Sequence, residues 1–284
     1  MGSALAVLAL SLPAVAQAPV PPAATCVGDP LGRRWRVGVV PQRPASQTAA
    51  SWTPVLREVG QRSGQCFTLV VPATIPAFEQ LLRSGNLDFA YLNPYHQLLA
   101  HRWQGFVPLV RDRTLLEGLV VVPKASPIHR IRNLQGAVVA FPAPNAFAAS
   151  LLIRALLARE SIRISPLYLG NHSNVYRSVA LQRSQAGGGV NLTLEQERPE
   201  VRDQLRVHWT TPVFPAHPFS ASGRVPAAVR SRVRDGFELL GRSPAGRRLL
   251  QEVQPDQIVR ASQSRDYAPL EQLHLERFAV ADGG

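Results

Sequence analysis

Short apolar runs alternate with helical periodicities along most of this chain. Trp35-Arg36-Val37-Gly38-Val39-Val40 alternates as a strand does, and Trp52, Val55, Leu56 and Val59 then recur at i, i+3, i+4, i+7, one face of a helix. Cys66–Val71 predicts a second strand. Phe78, Leu81 and Leu82 predict a short helix stopped by Gly85. Leu87–Leu92 predicts a third strand, and Pro94 opens a helix carrying Leu98, Leu99 and Trp103. Phe106–Val110 is the next strand. This alternation predicts an α/β lobe, a parallel sheet covered by helices.

The pattern restarts after residue 120. Strands are expected at Ala137–Phe141, Ser165–Leu169, Ala186–Val190 (weak, with three glycines) and Arg206–Thr210. Helices are expected through Ala148, Leu151, Leu152, Ala155 and Leu156, and through Ser173–Leu181. Val229, Val233, Phe237 and Leu240 begin a helical tail. The fold class read from this is α/β, two-lobed with a cleft between lobes. Residues 19–118 plus 222–284 form the first lobe and 119–221 the second, with linkers near Leu119–Pro123 and Pro212–Val225. The tail returns to cover the first lobe.

The amino terminus is read apart from the fold. Ala4–Ala16 is a short apolar run ending in Ala16-Gln17-Ala18, the A-x-A form of a signal-peptidase site, although Met1-Gly2-Ser3 brings no Lys or Arg. Residues 1–18 are therefore expected to be a signal peptide, cut near Ala18, and the protein to be periplasmic. Export changes the meaning of Cys26 and Cys66: in an oxidising compartment a pair suggests a disulfide. Each lies just ahead of or at the start of a predicted strand, so a bridge at one sheet edge is reasonable if those strands are parallel neighbours.

Composition narrows the classes. The 284 residues are 45% hydrophobic and 18% charged, which fits a folded chain. Net charge is +12, but of 31 Lys+Arg only Lys124 is lysine, and the arginines are scattered. That skew reads as codon bias, and no nucleic-acid partner is expected. The densest run, Arg224–Arg248, is read as a solvated helix face, with a docking patch as the alternative. No hydrolase elbow, zinc motif, C-x-x-C or P-loop is present, so no enzyme activity, cofactor or metal is expected. Two α/β lobes joined by two crossings are built to close on a ligand.

Val37-Gly38-Val39-Val40-Pro41-Gln42, Trp52-Thr53-Pro54 and Gly85-Asn86-Leu87-Asp88-Phe89-Ala90-Tyr91-Leu92-Asn93-Pro94-Tyr95 resemble the first lobe of the phosphate/phosphite/phosphonate substrate-binding proteins of ABC transporters. Leu134-Gln135-Gly136, Phe141-Pro142-Ala143-Pro144-Asn145 and Gly170-Asn171-His172 are similar to the second. The likeness runs from about Val37 to Val253. It implies a type II periplasmic-binding fold, a small anionic or polar ligand between lobes, and an ABC permease as partner of a monomer. The alternative is an exported sensor that reports to a membrane signalling partner.

The resemblance also implies site residues. Family members follow the Pro-Asn pair with a Ser-Thr-Ser run at a helix start, where hydroxyls and N–H groups hold the anion. Here Asn145 is followed by Ala146, Phe147 and Ala148, so the hydroxyls are absent and the backbone donors remain. Phe147 either adds an apolar ring where an oxyanion would sit or turns into the core. His172 matches the family's cleft histidine. Asn191 and His217 lie where some relatives place acidic groups for a ligand amine, and neither carries a fixed negative charge. An aminoalkyl ligand is therefore disfavoured, and 2-aminoethylphosphonate should bind weakly or not at all.

From the residues themselves, Tyr91, Asn93 and Tyr95 fall at the C-terminal end of a strand, where open α/β sheets bind ligands, with core packing as the other reading for the tyrosines. Thr74, in a loop after a strand, is a further contact candidate or a turn residue.

Overall fold

The computed structural model describes residues 26–253 and 257–280. The expected signal peptide and the Pro/Ala-rich stretch after it lie outside the described residues. Two sheets organise the rest. The first holds seven strands: β1 (Val27–Gly28), β2 (Arg33–Val39), β3 (Gln65–Val70), β4 (Phe89–Tyr91), β5 (Val107–Asp112), β11 (Pro218–Ala221) and β12 (Ile258–Arg260). Their spatial order is β1-β3-β2-β4-β11-β5-β12. The second is ordered β10-β6-β9-β7-β8, from β6 (Leu116–Pro123), β7 (Val138–Phe141), β8 (Ser165–Tyr168), β9 (Ala186–Val190) and β10 (Leu205–Phe214).

Each sheet is parallel over three strands only, inside the first sheet and at one end of the second. β2 pairs in parallel with β3 and β4, and β7 with β8 and β9. The returning strands β11 and β12 and the long β6 and β10 add antiparallel ladders. A mixed sheet follows because β11 and β12 re-enter the first lobe from the second lobe and from the tail.

Helix α1 (Ala45–Ser63) buries Trp52, Val55, Leu56 and Val59 on the first sheet and ends on Gly64 at φ 65°. α2 (Ile75–Arg83) and α3 (Pro94–Gln104) both carry a proline in the first two positions, Pro76 and Pro94, and are capped by Thr74 and Asn93. In the second lobe α4 (Leu152–Arg159) extends a π-helical turn over Phe147–Leu151, and α5 (His172–Ala180), α6 (Asn191–Glu195) and α7 (Pro199–Arg202) follow. α8 (Ala227–Arg242) and α9 (Pro244–Gln251) return to the first lobe, and Tyr267, Leu270 and Leu275 of the tail join its core.

The first crossing differs from the sequence reading, and the second falls inside the expected Pro212–Val225 stretch but is shorter than it. Leu119–Pro123 lies inside β6, whose unbroken apolar run is that of a strand buried on both faces. Pro212 lies inside β10, at a register shift between Thr210 and Val213 where a missing N–H is tolerated. The chain passes between lobes at 113–115 and 215–217, just beyond the paired ends Leu116 and Phe214.

Cys26 and Cys66 are bonded, with Cα atoms 5.5 Å apart. The nine residues before Trp35 are accommodated by β1, which pairs Gly28 with Cys66 antiparallel on the sheet edge. The bridge therefore ties this short edge strand to β3.

Three consecutive glycines make β9 the thin centre of the second sheet. A Cβ on Gly188 would sit 2.0 Å from the Ala149 carbonyl oxygen and 2.6 Å from the Phe141 ring. On Gly189 it would sit 2.2 Å from the Tyr176 hydroxyl. The triplet lets α5 and the Phe147 turn approach the strand closely, and that approach sets the wall of the cleft.

Candidate functional site

Val40 and Gln42 follow the C-terminal end of β2, Asn93 follows β4, and His217 precedes β11. These strand ends meet the Ala146–Ala149 turn, His172 and Val190 of the second lobe around a cavity of about 10 Å³, closed on the α2 side by Ile75. That volume holds about one water molecule, so the lobes are shut. Backbone and side-chain bonds cross the closed interface. The His172 N–H donates to Gln42 O at 3.0 Å. Asn93 Nδ2 donates to Asn145 O at 3.2 Å, and Gln196 Nε2 to Gln251 O at 2.9 Å.

One wall of the cavity is a helix start. Ser150 and Leu151 both donate to the Ala146 carbonyl, at 2.9 and 3.0 Å, and this double acceptance makes the π turn. The N–H groups of Phe147, Ala148 and Ala149 precede the first intrahelical bond and have no carbonyl one turn back. They carry the positive end of the helix dipole. The Phe147 ring packs edge-to-face on Phe214 at 5.4 Å within the core, the second of the two readings given above, and leaves the backbone to border the cavity.

Two histidines complete the polar lining. His172 begins α5 behind the Asn171 cap. Its Nδ1 lies 3.1 Å from the Thr193 hydroxyl, which in turn lies 2.7 Å from the Tyr176 hydroxyl. His217 comes from the crossing segment. Gln42 Nε2 donates to its Nε2 at 3.3 Å, which places the proton of a neutral ring on Nδ1. That Nδ1 is buried and has no hydrogen-bond partner in the protein. The ring stacks on Tyr91 at 5.5 Å. Burial pushes both histidines down to about 3, with His172 and His96 lowering His217 further. Both are neutral at neutral pH.

Among the described residues the cavity wall carries no charged side chain. Arg43 adjoins Gln42 in sequence but donates to Glu252 O at 2.7 Å and to Ser51 Oγ at 3.1 Å. Burial lowers its pKa.

The cavity thus gathers Asn93, Ala146, Phe147, Ala148 and His172 of the residues expected from sequence. Thr74 does not reach it; its exposed hydroxyl accepts from Ala77 N at 3.3 Å as a helix cap. Tyr91 and Tyr95 are core residues, Tyr91 wedged between His217 and Trp52, whose ring lies at 4.8 Å. Burial raises the pKa of both tyrosines. Asn145 stands behind the wall as a bridge between lobes, donating to Val280 O at 2.9 Å and to Glu79 Oε2 at 3.3 Å. Asn191 is held at the crossing, accepting from Glu117 N at 3.2 Å and donating to Leu115 O at 3.0 Å.

The family profile described as "ABC transporter, phosphonate, periplasmic substrate-binding protein" matches residues 37–267. A search of curated proteins found no relative. Among solved structures, a binding-protein component of an ABC phosphonate transporter from Pseudomonas aeruginosa superposes with TM-score 0.76 at 17% identity, covering 89% of this chain and 90% of that one. PhnD1 from Prochlorococcus marinus in complex with methylphosphonate gives TM-score 0.78 at 14% identity, covering 87% and 99%. The BvgS VFT2 domain of Bordetella pertussis gives 0.52 at 19%, covering 79% and 93%. These likenesses carry the two-lobed periplasmic-binding fold.

Proposed function

The chain belongs to the phosphonate-binding periplasmic substrate-binding proteins of ABC transporters, and from that premise we propose that its ligand is a small oxyanion without an ammonium group, held between the lobes, which part from this shut form to admit it because the shut cavity holds only about one water molecule. The observation that supports this is the pairing, in one cavity, of an open helix start with two neutral histidines. N–H donors and a positive dipole end suit an oxyanion. An ammonium group would need a carboxylate, and the described wall offers none. Closure would expose a composite surface of both lobes to the permease that the family serves. Among the described residues no helix is long and apolar enough to cross a membrane. Residues 1–18 would serve as a cleaved signal, and the mature protein would act as a monomer.

Calorimetry with phosphate, phosphite, methylphosphonate and 2-aminoethylphosphonate tests the reading. Binding of at least one amine-free oxyanion, with 2-aminoethylphosphonate weaker or silent, is expected. Sub-micromolar affinity for 2-aminoethylphosphonate would overturn it.

A further inference from the structure

The proposal above leaves open which oxyanion the cleft prefers, and three features of its wall bear on that choice. The first is the donor set. His217, whose buried Nδ1 has no hydrogen-bond partner in the protein, lines the same cavity as Phe147, Ala148 and Ala149, whose N–H groups stand at the helix start. All of these are neutral donors, and the helix start adds roughly half a unit of positive charge.

The second is the lack of a compensating cation. Arg43 is held by Glu252 O and Ser51. Arg154, further along the Phe147 helix, donates to Pro144 O and Phe278 O, each at 2.8 Å. His217 contacts the Tyr91 ring and the Gln42 amide and feels the nearby His172 and His96, none of them a fixed cation. Glu79 lies one bond behind the wall, on Asn145 and His96. Desolvation cost grows with the square of charge, so a dianion is penalised about fourfold relative to a monoanion of the same size. Neutral donors and half a dipole charge suit one negative charge, not two.

The third is the apolar remainder of the wall. Val40, Ile75 and Val190 face the cavity. They suit a hydrogen or methyl substituent and leave a third charged oxygen unpaired, which is costly when buried.

Resting on the oxyanion reading, we propose that the cleft selects a singly charged oxyanion bearing short apolar substituents, a phosphinate or a short carboxylate, and that His217 Nδ1 is the donor that sets this choice. Dimethylphosphinate and methylphosphonate form a matched pair: a methyl group replaces one oxygen and one charge is removed. Hypophosphite and phosphite form a second pair, and propionate tests the carboxylate arm.

Calorimetry at pH 8, where methylphosphonate and phosphite are mainly dianions, is the test. Dimethylphosphinate or propionate should bind at least ~10-fold tighter than methylphosphonate, and whichever of the two binds tighter identifies the chemistry. His217→Leu should weaken that ligand by ~10-fold or more, the loss of one hydrogen bond to a charged acceptor, whereas His217→Asn, whose amide nitrogen can replace Nδ1, should restore most of it. Melting curves verify that both variants are folded. Methylphosphonate binding as tightly as dimethylphosphinate, or equal affinities in the Leu and Asn variants, would overturn the inference while leaving the oxyanion reading intact. Silence from every oxyanion would overturn both.

Discussion

Asn93 on one lobe donates its side-chain amide to the backbone oxygen of Asn145 on the other, at 3.2 Å. The Asn145 side chain continues the connection, exchanging two hydrogen bonds with Val280 of the tail, at 2.9 and 3.0 Å. The shut cleft is thus latched by the protein's own groups, with the carboxyl-terminal segment as a strap.

Asn145→Ala removes these side-chain bonds and leaves buried partners unsatisfied. It should bias the unliganded protein towards the open form by about 1–2 kcal/mol. Small-angle scattering should show a larger radius of gyration than wild type without ligand, with the difference removed by a tight ligand. An unchanged radius would deny Asn145 a latching role.

Cys26 and Cys66 close a loop with a sequence separation of 40. The chain-entropy relation assigns a loop of that length about 4 kcal/mol of stabilisation. Cys26→Ser with Cys66→Ser should lower the urea unfolding free energy by about 2–4 kcal/mol, and reductant should have no effect on the double variant. Equal stability with and without the bridge would show that the edge strand β1 frays at little cost.

Gly188→Ala places a methyl group 2.0 Å from the Ala149 carbonyl oxygen and against the Phe141 ring. Backbone cannot yield there as a flexible side chain would. Destabilisation of about 3 kcal/mol or more is expected in denaturant titrations, together with weaker ligand binding, because Ala149 belongs to the cavity wall. Loss below about 1 kcal/mol would show that the turn can move off β9.

His172 and His217 are buried neutral, each with its folded pKa pushed down to about 3 from 6.5. Between those values the unfolded chain binds more protons than the folded one, so stability rises with pH through this window and is lost on acidification. Two such groups give a limiting slope of about 2.7 kcal/mol per pH unit below pH 6. Urea midpoints between pH 7 and 4 should fall steeply in wild type and less steeply in His217→Asn. A flat profile would mean that the cleft opens to hydrate the rings.

The alternation of apolar runs and helical periods made the strands and most helices legible from sequence. Trp35–Val40 and α1 follow that pattern closely, because β-strands and amphipathic helices write their buried faces into local spacing. β1 escaped it, since two residues have no period and only pairing with β3 defines them. In the sequence, Gly187–Gly189 only weaken the strand expected at Ala186–Val190. Their meaning lies in what packs on either face of β9, which no local window contains.

The site was half legible. His172 and the Ala146–Ala148 turn followed from the family resemblance, and Asn93 from its place at a strand end. Gln42 is not marked as a site residue by the sequence, and the resemblance places His217 only where some relatives set an acidic group, although both flank strands at the cleft side of the first sheet. They are 175 positions apart and meet only when β2 and β11 are brought into one sheet. The tyrosines misled because strand-end position alone does not distinguish a ring facing the cleft from one buried beneath it.

The central claim is that an oxyanion sits between the Phe147–Ala149 amides and His217. Crystal structures of the mature protein with saturating dimethylphosphinate, and separately with methylphosphonate, test it most directly. The account predicts density for at least one ligand within hydrogen-bond distance of two of those amides and of His217 Nδ1, with its substituents towards Val40, Ile75 and Val190. A bound anion that contacts neither the helix start nor His217, or that draws Arg43 into the cleft to meet it, would contradict the account.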